Sequence, residues 1–159
     1  MLLTSSEVEK EAALNIAKLM LVAARTAPKT GGRDSIVTAI IDGSDKEKLA
    51  DEMEHIGKTA NRPSRIRDGK SVRDSEVVVL IGVKYVEAYS NELKLIDLGI
   101  ALGSAVKIAS DLNADNRIMY SAGRAAKNLR LLDADIIQGI PVSIKGKNIY
   151  FDRPTVTTP

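Results

Sequence analysis

The sequence predicts a single α/β or α+β domain over residues 1–159, in which helices flank a central mixed sheet. Helical and strand patterns alternate along the chain, two short β-branched segments are apolar enough to be buried strands, and no linker or internal repeat divides it. The length fits one ordinary domain. With 44% hydrophobic and 28% charged residues, the composition is that of a globular protein.

The first element is a helix predicted over residues 7–26. Ser6 and Glu9 have the spacing of a capping box at its start. Apolar residues then recur at three- and four-residue steps: Val8, Ala12, Ile16, Leu19, Met20 and Ala23. The helix should end before Pro28, because a residue that precedes proline disfavours helical backbone.

Two strands and a helix follow. Residues 35–41 (SIVTAII) are short and β-branched, which predicts a buried strand. A second helix is predicted over residues 45–57. Residues 61–74 are polar and basic and are interpreted as a loop or a short irregular helix. Residues 76–83 (EVVVLIGV) have the strongest pattern of a buried strand in the chain.

A long helix is predicted over residues 93–112, and it contains Gly99 and Gly103. A glycine inside a helix costs on the order of 1 kcal/mol relative to alanine. Two glycines four residues apart therefore indicate that another backbone, or a flat ligand, approaches the helix closely.

The last elements are shorter. We predict a strand over residues 116–121, a helix over residues 123–131 and a final strand over residues 135–144 that is interrupted at Gly139 and Pro141.

The amino-acid composition and the net charge exclude several classes of protein. The absence of cysteine excludes disulfides and thiolate-bound metal clusters. A formal net charge of +2 does not by itself indicate a nucleic-acid or membrane surface. The basic residues 62–73 include no aromatic, which favours a solvated segment over a nucleic-acid contact. The chain has no apolar stretch that would span a bilayer and no secretory pattern at its start, so we expect a cytoplasmic protein.

Catalytic motifs are also absent. The chain has no Walker loop, Rossmann fingerprint or nucleophile elbow. Its single histidine, His55, is interpreted as a solvated residue on the second helix. No catalytic residue and no metal ligand is assigned from the sequence.

Residues 25–33 (RTAPKTGGR) form the first candidate ligand site. Glycines let backbone amides approach an anion, and lysine or arginine supplies charge. The candidate residues are Arg25, Thr26, Lys29, Thr30, Gly31 and Arg33. The alternative is a solvated connection with a flexible turn.

Residues 121–127 (SAGRAAK) form the second candidate. A strand that enters a helix through glycine can present free amides to a phosphate, and Gly123, Arg124 and Lys127 would be the ligands. A glycine turn followed by an amphipathic helix is the favoured interpretation of this segment taken alone.

The order of these motifs resembles that of the nitroreductase-like flavoproteins. LMLVAARTAPKTGGRDSIVTAIIDGSDKEKLADEM is similar to their opening, in which a helix ends in an Ala-Pro segment, passes a flavin-contacting loop and enters a strand. IDLGIALGSAVKIASDLN resembles their long central helix, which has small residues facing the flavin and the partner subunit. NLRLLDADIIQGIPVSI resembles their closing helix and strand.

A more specific resemblance is to a small prokaryotic family described as containing a ferredoxin domain. The second half of the chain looks like that family's signature, particularly DNRIMYSAG and GKNIYFDR. The family usually carries cysteines between the buried strand and the long helix, whereas residues 82–91 (GVKYVEAYSN) contain none. We therefore expect no iron–sulfur cluster.

The resemblance implies FMN bound between the two subunits of a homodimer, and the activity of a flavin-dependent oxidoreductase. The phosphate would bind the cations of residues 25–33, or Arg124 and Lys127. The ring would lie on Gly99 and Gly103, or at Gly82. The chain departs from the nitroreductases in its acidic start, SSEVEKEAA, where they usually have an arginine-rich segment. The alternative is a cofactor-free binding or structural module of the same fold that acts through a protein partner or an anionic ligand.

Overall fold

The computed structural model describes residues 1–151, so the end of the GKNIYFDR motif lies outside the described residues. In this range five α-helices surround a four-stranded sheet. The helices are α1 (Ser5–Thr26), α2 (Gly43–Thr59), α3 (Pro63–Asp74), α4 (Asn91–Asp111) and α5 (Tyr120–Asn128). The strands are β1 (Ile36–Ile41), β2 (Val77–Val83), β3 (Asp115–Asn116) and β4 (Ile136–Ser143). One turn of 3₁₀ helix, Thr30–Gly32, lies between α1 and β1.

The strand order is β1-β2-β4-β3. The predicted α/β architecture, with a central sheet between helices, is confirmed. The sheet was expected to be mixed, but every strand pairing among the described residues is antiparallel. The connection from β1 to β2 gives the reason. It consists of two helices, α2 and α3, and each reverses the chain, so β2 enters the sheet in the opposite direction to β1.

Strand β2 is buried on both faces of the sheet, which explains its uninterrupted apolar sequence. Val79 and Ile81 belong to a core that α1 and α4 cover. Val78 and Leu80 belong to a second core, covered by α2, α3 and α5. Side chains alternate between the faces of a strand, so this single strand separates the two helical layers.

The basic segment interpreted as a loop or a short irregular helix is the twelve-residue helix α3. Its proline occupies the first helical position, which proline tolerates well. Two glycines let α3 pack directly on α2. A Cβ on Gly57 would lie 2.7 Å from Ile66 Cγ1, and one on Gly69 would lie 2.9 Å from Glu54 Cγ. The polar sequence of α3 has no continuous apolar stripe, and close packing against α2 stabilises the helix instead.

Helix α1 begins earlier than predicted. The Glu7 carboxylate accepts a hydrogen bond from the Thr4 amide at 2.8 Å, so the residue pair at the helix start is Thr4 and Glu7 rather than Ser6 and Glu9.

Strand β4 continues through Gly139 and Pro141, where a break was predicted. The Gly139 amide donates to Met119 O at 3.2 Å. By alternation, the nitrogen of Pro141 faces the same side, where β3 has already ended at Asn116. The proline therefore removes no hydrogen bond from the sheet. The strand predicted over residues 116–121 is wrong for most of its length. The strand is Asp115–Asn116, Met119 makes only an isolated bridge to Gly139, and residues 120–121 belong to α5.

Candidate functional site

Three connecting segments meet at one end of the sheet. Ile36 at the start of β1 pairs with Val83 at the end of β2, and Val83 pairs with Ile136 at the start of β4. The segments that precede β1, follow β2 and precede β4 therefore leave the sheet together. We call this the loop end, residues 27–35 the early loop, and residues 84–90 the β2–α4 loop.

A buried ion pair fixes the early loop to the first turns of α4. The Asp97 carboxylate accepts hydrogen bonds from the Thr30 amide and hydroxyl, both at 2.8 Å, and from the Lys94 ammonium at 2.9 Å. Lys94 is 0% exposed and Asp97 is 2% exposed. Burial by itself would raise the pKa of Asp97, but the hydrogen bonds from Lys94 and Thr30 outweigh it and hold that pKa below its usual value.

The ring of Tyr89, from the β2–α4 loop, covers this ion pair. Its centroid lies 4.9 Å from Lys94 Nζ and 5.9 Å from the Arg33 guanidinium carbon. The Tyr89 hydroxyl fills the space that a Cβ on Gly31 would need, and Gly31 has a φ of 61°. Gly31 is therefore required by packing and backbone conformation within the chain.

Most polar side chains predicted to bind a ligand at the early loop have partners inside the protein. Arg25 pairs with Asp34 and also donates to a backbone carbonyl. Lys29 donates to two backbone carbonyls. The Thr26 hydroxyl donates to a carbonyl of its own helix at 3.0 Å. Among the described residues, Arg33 makes no hydrogen bond or ion pair through its side chain, which leaves its donors available.

The two glycines of α4 lie on an open surface. Gly99 and Gly103 are exposed, and a Cβ added at either would meet no atom within 4 Å. Ile96 and Ile100, which are 56% and 42% exposed, lie on the same side of the helix by their spacing. We call these four residues the α4 face. It lies beside the loop end, because Asp97 on the same helix holds the early loop.

Gly82 and Gly123 have a different environment. Both are buried. A Cβ on Gly82 would lie 2.6 Å from Ala134 Cβ, and one on Gly123 would overlap the Ile137 carbonyl oxygen. Close packing among β2, α5 and β4 therefore accounts for both glycines without a ligand.

Arg124 and Lys127 line a cavity of about 280 Å³ between α5 and the start of β4, which we call the α5 cavity. It is also at the loop end, but α5 and α4 pack on opposite faces of the sheet. The predicted ligand residues thus form two groups. The residues of the early loop and of the α4 face lie together, and the sheet separates them from the α5 cavity.

The other candidates from the sequence lie elsewhere. His55 is exposed on α2. In the basic segment, Arg73 is neutralised by Glu47 at 2.6 Å, Asp51 at 2.8 Å and Glu54 at 3.0 Å. Within residues 1–151, no group of three or more His, Asp or Glu could hold a metal ion. None of the helices in that range has the combination of length and hydropathy that a membrane-spanning helix needs.

The sequence analysis missed the Lys94–Asp97 pair. A lysine and an aspartate three residues apart usually form an exposed pair on a helix. Their positions carried a signal, however. Lys94 and Asp97 continue, at helical spacing, the buried stripe of Ala101 and Ala105.

Comparison with known proteins identifies the family. Residues 90–153 match the family described as uncharacterized proteins containing a ferredoxin domain. An uncharacterized protein from Archaeoglobus fulgidus is 39% identical over 181 aligned positions, which cover 96% of this chain and 98% of that protein. This chain therefore belongs to the family of uncharacterized proteins containing a ferredoxin domain. The alignment is longer than the 159 residues of the chain, so it includes positions that this member lacks.

Solved structures with the same fold are nitroreductase-like. A nitroreductase-like family protein from Bacillus cereus aligns with a TM-score of 0.66 at 11% identity, over 91% of this chain and 80% of that one. The FMN-dependent nitroreductase NfnB from Mycobacterium smegmatis aligns with a TM-score of 0.64 at 9% identity, over 84% and 78%. The hypothetical oxidoreductase YcnD from Bacillus subtilis gives a TM-score of 0.58 at 14% identity, and the alignment covers 86% of this chain but 59% of YcnD. At these identities the similarity shows the fold, which confirms the resemblance to nitroreductase-like proteins.

Proposed function

We propose that this protein is a cytoplasmic homodimer that binds FMN and acts as a flavin-dependent oxidoreductase. The observation that carries the proposal is the open, glycine-containing α4 face beside a basic loop, in a fold shared with an FMN-dependent nitroreductase. A bound flavin would supply the hydride or electron transfer, and the protein would bind and orient it.

The α4 face fits a flat ring. Gly99 and Gly103 leave the helix backbone accessible, and Ile96 and Ile100 flank it with exposed apolar surface. A planar ring system buries most area where no Cβ holds it away from the backbone. This surface therefore suits the isoalloxazine ring better than Gly82 does, because Gly82 is buried against Ala134.

The early loop fits the phosphate. Arg33 has donors without partners among the described residues, and Lys29 uses two of its three ammonium donors on carbonyls. Arg124 and Lys127 were the other candidates, but the sheet separates them from the α4 face. We therefore assign the FMN phosphate to Arg33, with Lys29 beside it.

We further propose that a second copy of the chain covers the α4 face. Helix α1, which packs beside α4, exposes Leu19 and Val22, which are 50% and 58% accessible. Together with Ile96 and Ile100 they expose apolar side chains on two adjacent helices, as expected of an interface between subunits. The flavin would then lie between two subunits.

Titration with FMN tests the proposal. We expect saturable quenching of FMN fluorescence and a shifted flavin absorption spectrum. The double variant Gly99→Leu/Gly103→Leu should lose this binding while it keeps its fold, because a Cβ added at either position has no atom within 4 Å and both positions are exposed. Gly146→Leu is the matched control, since Gly146 is also open but lies far along the chain from α4.

Riboflavin, which lacks the phosphate, separates the two halves of the site. Arg33→Gln should weaken FMN binding about tenfold, the loss of one charge-assisted hydrogen bond, and leave riboflavin binding unchanged. An unchanged flavin spectrum in excess FMN would contradict the proposed function. A monomer in sedimentation velocity would contradict the subunit interface.

A cofactor-free module of the same fold is the second candidate. It is favoured by the internal partners of Arg25 and Lys29, which the early loop uses to hold itself together. A dimer that binds neither FMN nor riboflavin would support this alternative.

A further inference from the structure

We propose that the α5 cavity is a second ligand site, for a small organic anion that has a planar ring and a carboxylate or phosphate group. The cavity holds about 280 Å³ between α5 and the start of β4. Its size is just below the usual range of small-molecule sites, about 300–1,000 Å³, so the ligand must be small. The lining residues are Tyr120, Gly123, Arg124, Lys127, Asn128, Asp135, Ile136 and Ile137.

The charges in the lining favour an anion. Among the described residues, no carboxylate or carbonyl accepts from the Arg124 guanidinium. Lys127 donates to the backbone carbonyl of Asp135, which leaves two of its three donors free. The Asp135 carboxylate instead accepts the Tyr85 amide at 2.7 Å and pairs with neither cation. Two cations therefore face one carboxylate that is already hydrogen-bonded, and arginine binds carboxylate and phosphate through paired N–H groups.

The remaining lining favours a ring. Ile136 and Ile137 supply apolar surface at the start of β4, and Tyr120 is 52% exposed. Tyr120 and Arg124 are four residues apart and thus lie on the same side of α5. A ring against the tyrosine would bring its acidic substituent to the arginine. Gly123 adds no side chain to this surface because the Ile137 carbonyl occupies its Cβ position.

The site is separate from the proposed flavin site. The α5 cavity lies in the layer of α2, α3 and α5, whereas the α4 face lies on the other side of the sheet. Its occupancy can therefore be measured without FMN, and its failure would leave the flavin proposal untouched.

The test is a titration of ¹⁵N-labelled protein, followed by amide chemical shifts, with sodium benzoate, phenyl phosphate and inorganic phosphate at constant ionic strength. We expect benzoate or phenyl phosphate to give saturable shifts confined to amides of the lining, such as Gly123 and Ile137. Saturation by benzoate assigns a carboxylate ligand, and saturation by phenyl phosphate alone assigns a phosphate. Inorganic phosphate binding as tightly as phenyl phosphate would overturn the planar part of the proposal.

Variants identify the groups responsible. Arg124→Gln/Lys127→Gln should raise the Kd at least about tenfold. Lys58→Gln/Lys70→Gln removes the same charge from exposed positions outside the cavity and should leave the Kd unchanged. Tyr120→Leu should weaken the ring-bearing ligands and not inorganic phosphate. Absence of saturable shifts in the wild-type protein, or equal losses in both double variants, would overturn the proposal.

Discussion

Helix α4 has two glycines that face away from the protein, whereas the single glycine of α5 lies against strand β4. Beside Gly99 and Gly103, the neighbours Ile96 and Ile100 are large, exposed and apolar. Around Gly123 they are the buried alanines 122, 125 and 126. An open glycine beside large apolar residues indicates a contact that the chain alone does not supply. A buried glycine among alanines indicates close packing inside the chain.

The first turns of α4 contain the buried Lys94–Asp97 pair, whereas Gly99 and Gly103 in the middle of the helix are exposed. Of the changes considered, Lys94→Met should have the largest effect on stability. It leaves the Asp97 charge buried without its ammonium, so we expect a loss of about 3–5 kcal/mol in the free energy of unfolding. Urea denaturation measures it. Lys94→Met/Asp97→Leu removes both charges and should lose less than the single variant. A single variant as stable as the wild type would mean that the pair does not hold the early loop.

Gly123→Ala tests the glycine of α5 that packs against β4. The added methyl group overlaps the Ile137 carbonyl oxygen, so α5 must move away from β4, and we expect a loss of about 3 kcal/mol. Thermal unfolding measures the change. A wild-type melting temperature would show that α5 and β4 are not packed as closely as described.

Acid should weaken the Lys94–Asp97 ion pair in the first turns of α4. Because the pKa of Asp97 is lowered in the folded protein, its contribution is complete above the unfolded value of about 3.9 and is lost as the pH falls through the folded value. Urea unfolding between pH 6 and pH 2 should therefore show a steeper loss of stability for the wild type than for Lys94→Gln/Asp97→Asn, which keeps the hydrogen-bonding groups but not the charges. Parallel curves would contradict the assigned shift.

Gly99→Ala and Gly103→Ala should have the smallest effect on the isolated chain, and of the opposite sign. Each adds a methyl group where no atom lies within 4 Å, so we expect a gain of about 0.5–1 kcal/mol at protein concentrations low enough for monomers and without FMN. A loss under these conditions would mean that the α4 face is covered within the chain itself.

Local sequence was sufficient for the elements whose pattern is local. The apolar run of β2 and the stop of α1 before Pro28 follow from neighbouring residues, and the structure agrees. The helix α3 did not follow, because its stability depends on glycines of two helices that pack on each other.

For the candidate site, too, the sequence predicts some of the residues but not how they come together. The basic early loop and the glycines of α4 could be selected from the sequence. That they lie at one end of the sheet depends on Thr30 meeting Asp97, and the need for Gly31 depends on Tyr89. These contacts join residues far apart in the chain, and no local pattern specifies them.

The β2–α4 loop is held at both ends and open between them. The Tyr85 amide is bound by Asp135, Tyr89 lies against Gly31, and Glu87 and Ala88 are exposed. The entropy of closing a loop rises by only about 0.6 kcal/mol for each doubling of its length. Extra residues inserted between these two anchors should therefore leave the domain folded.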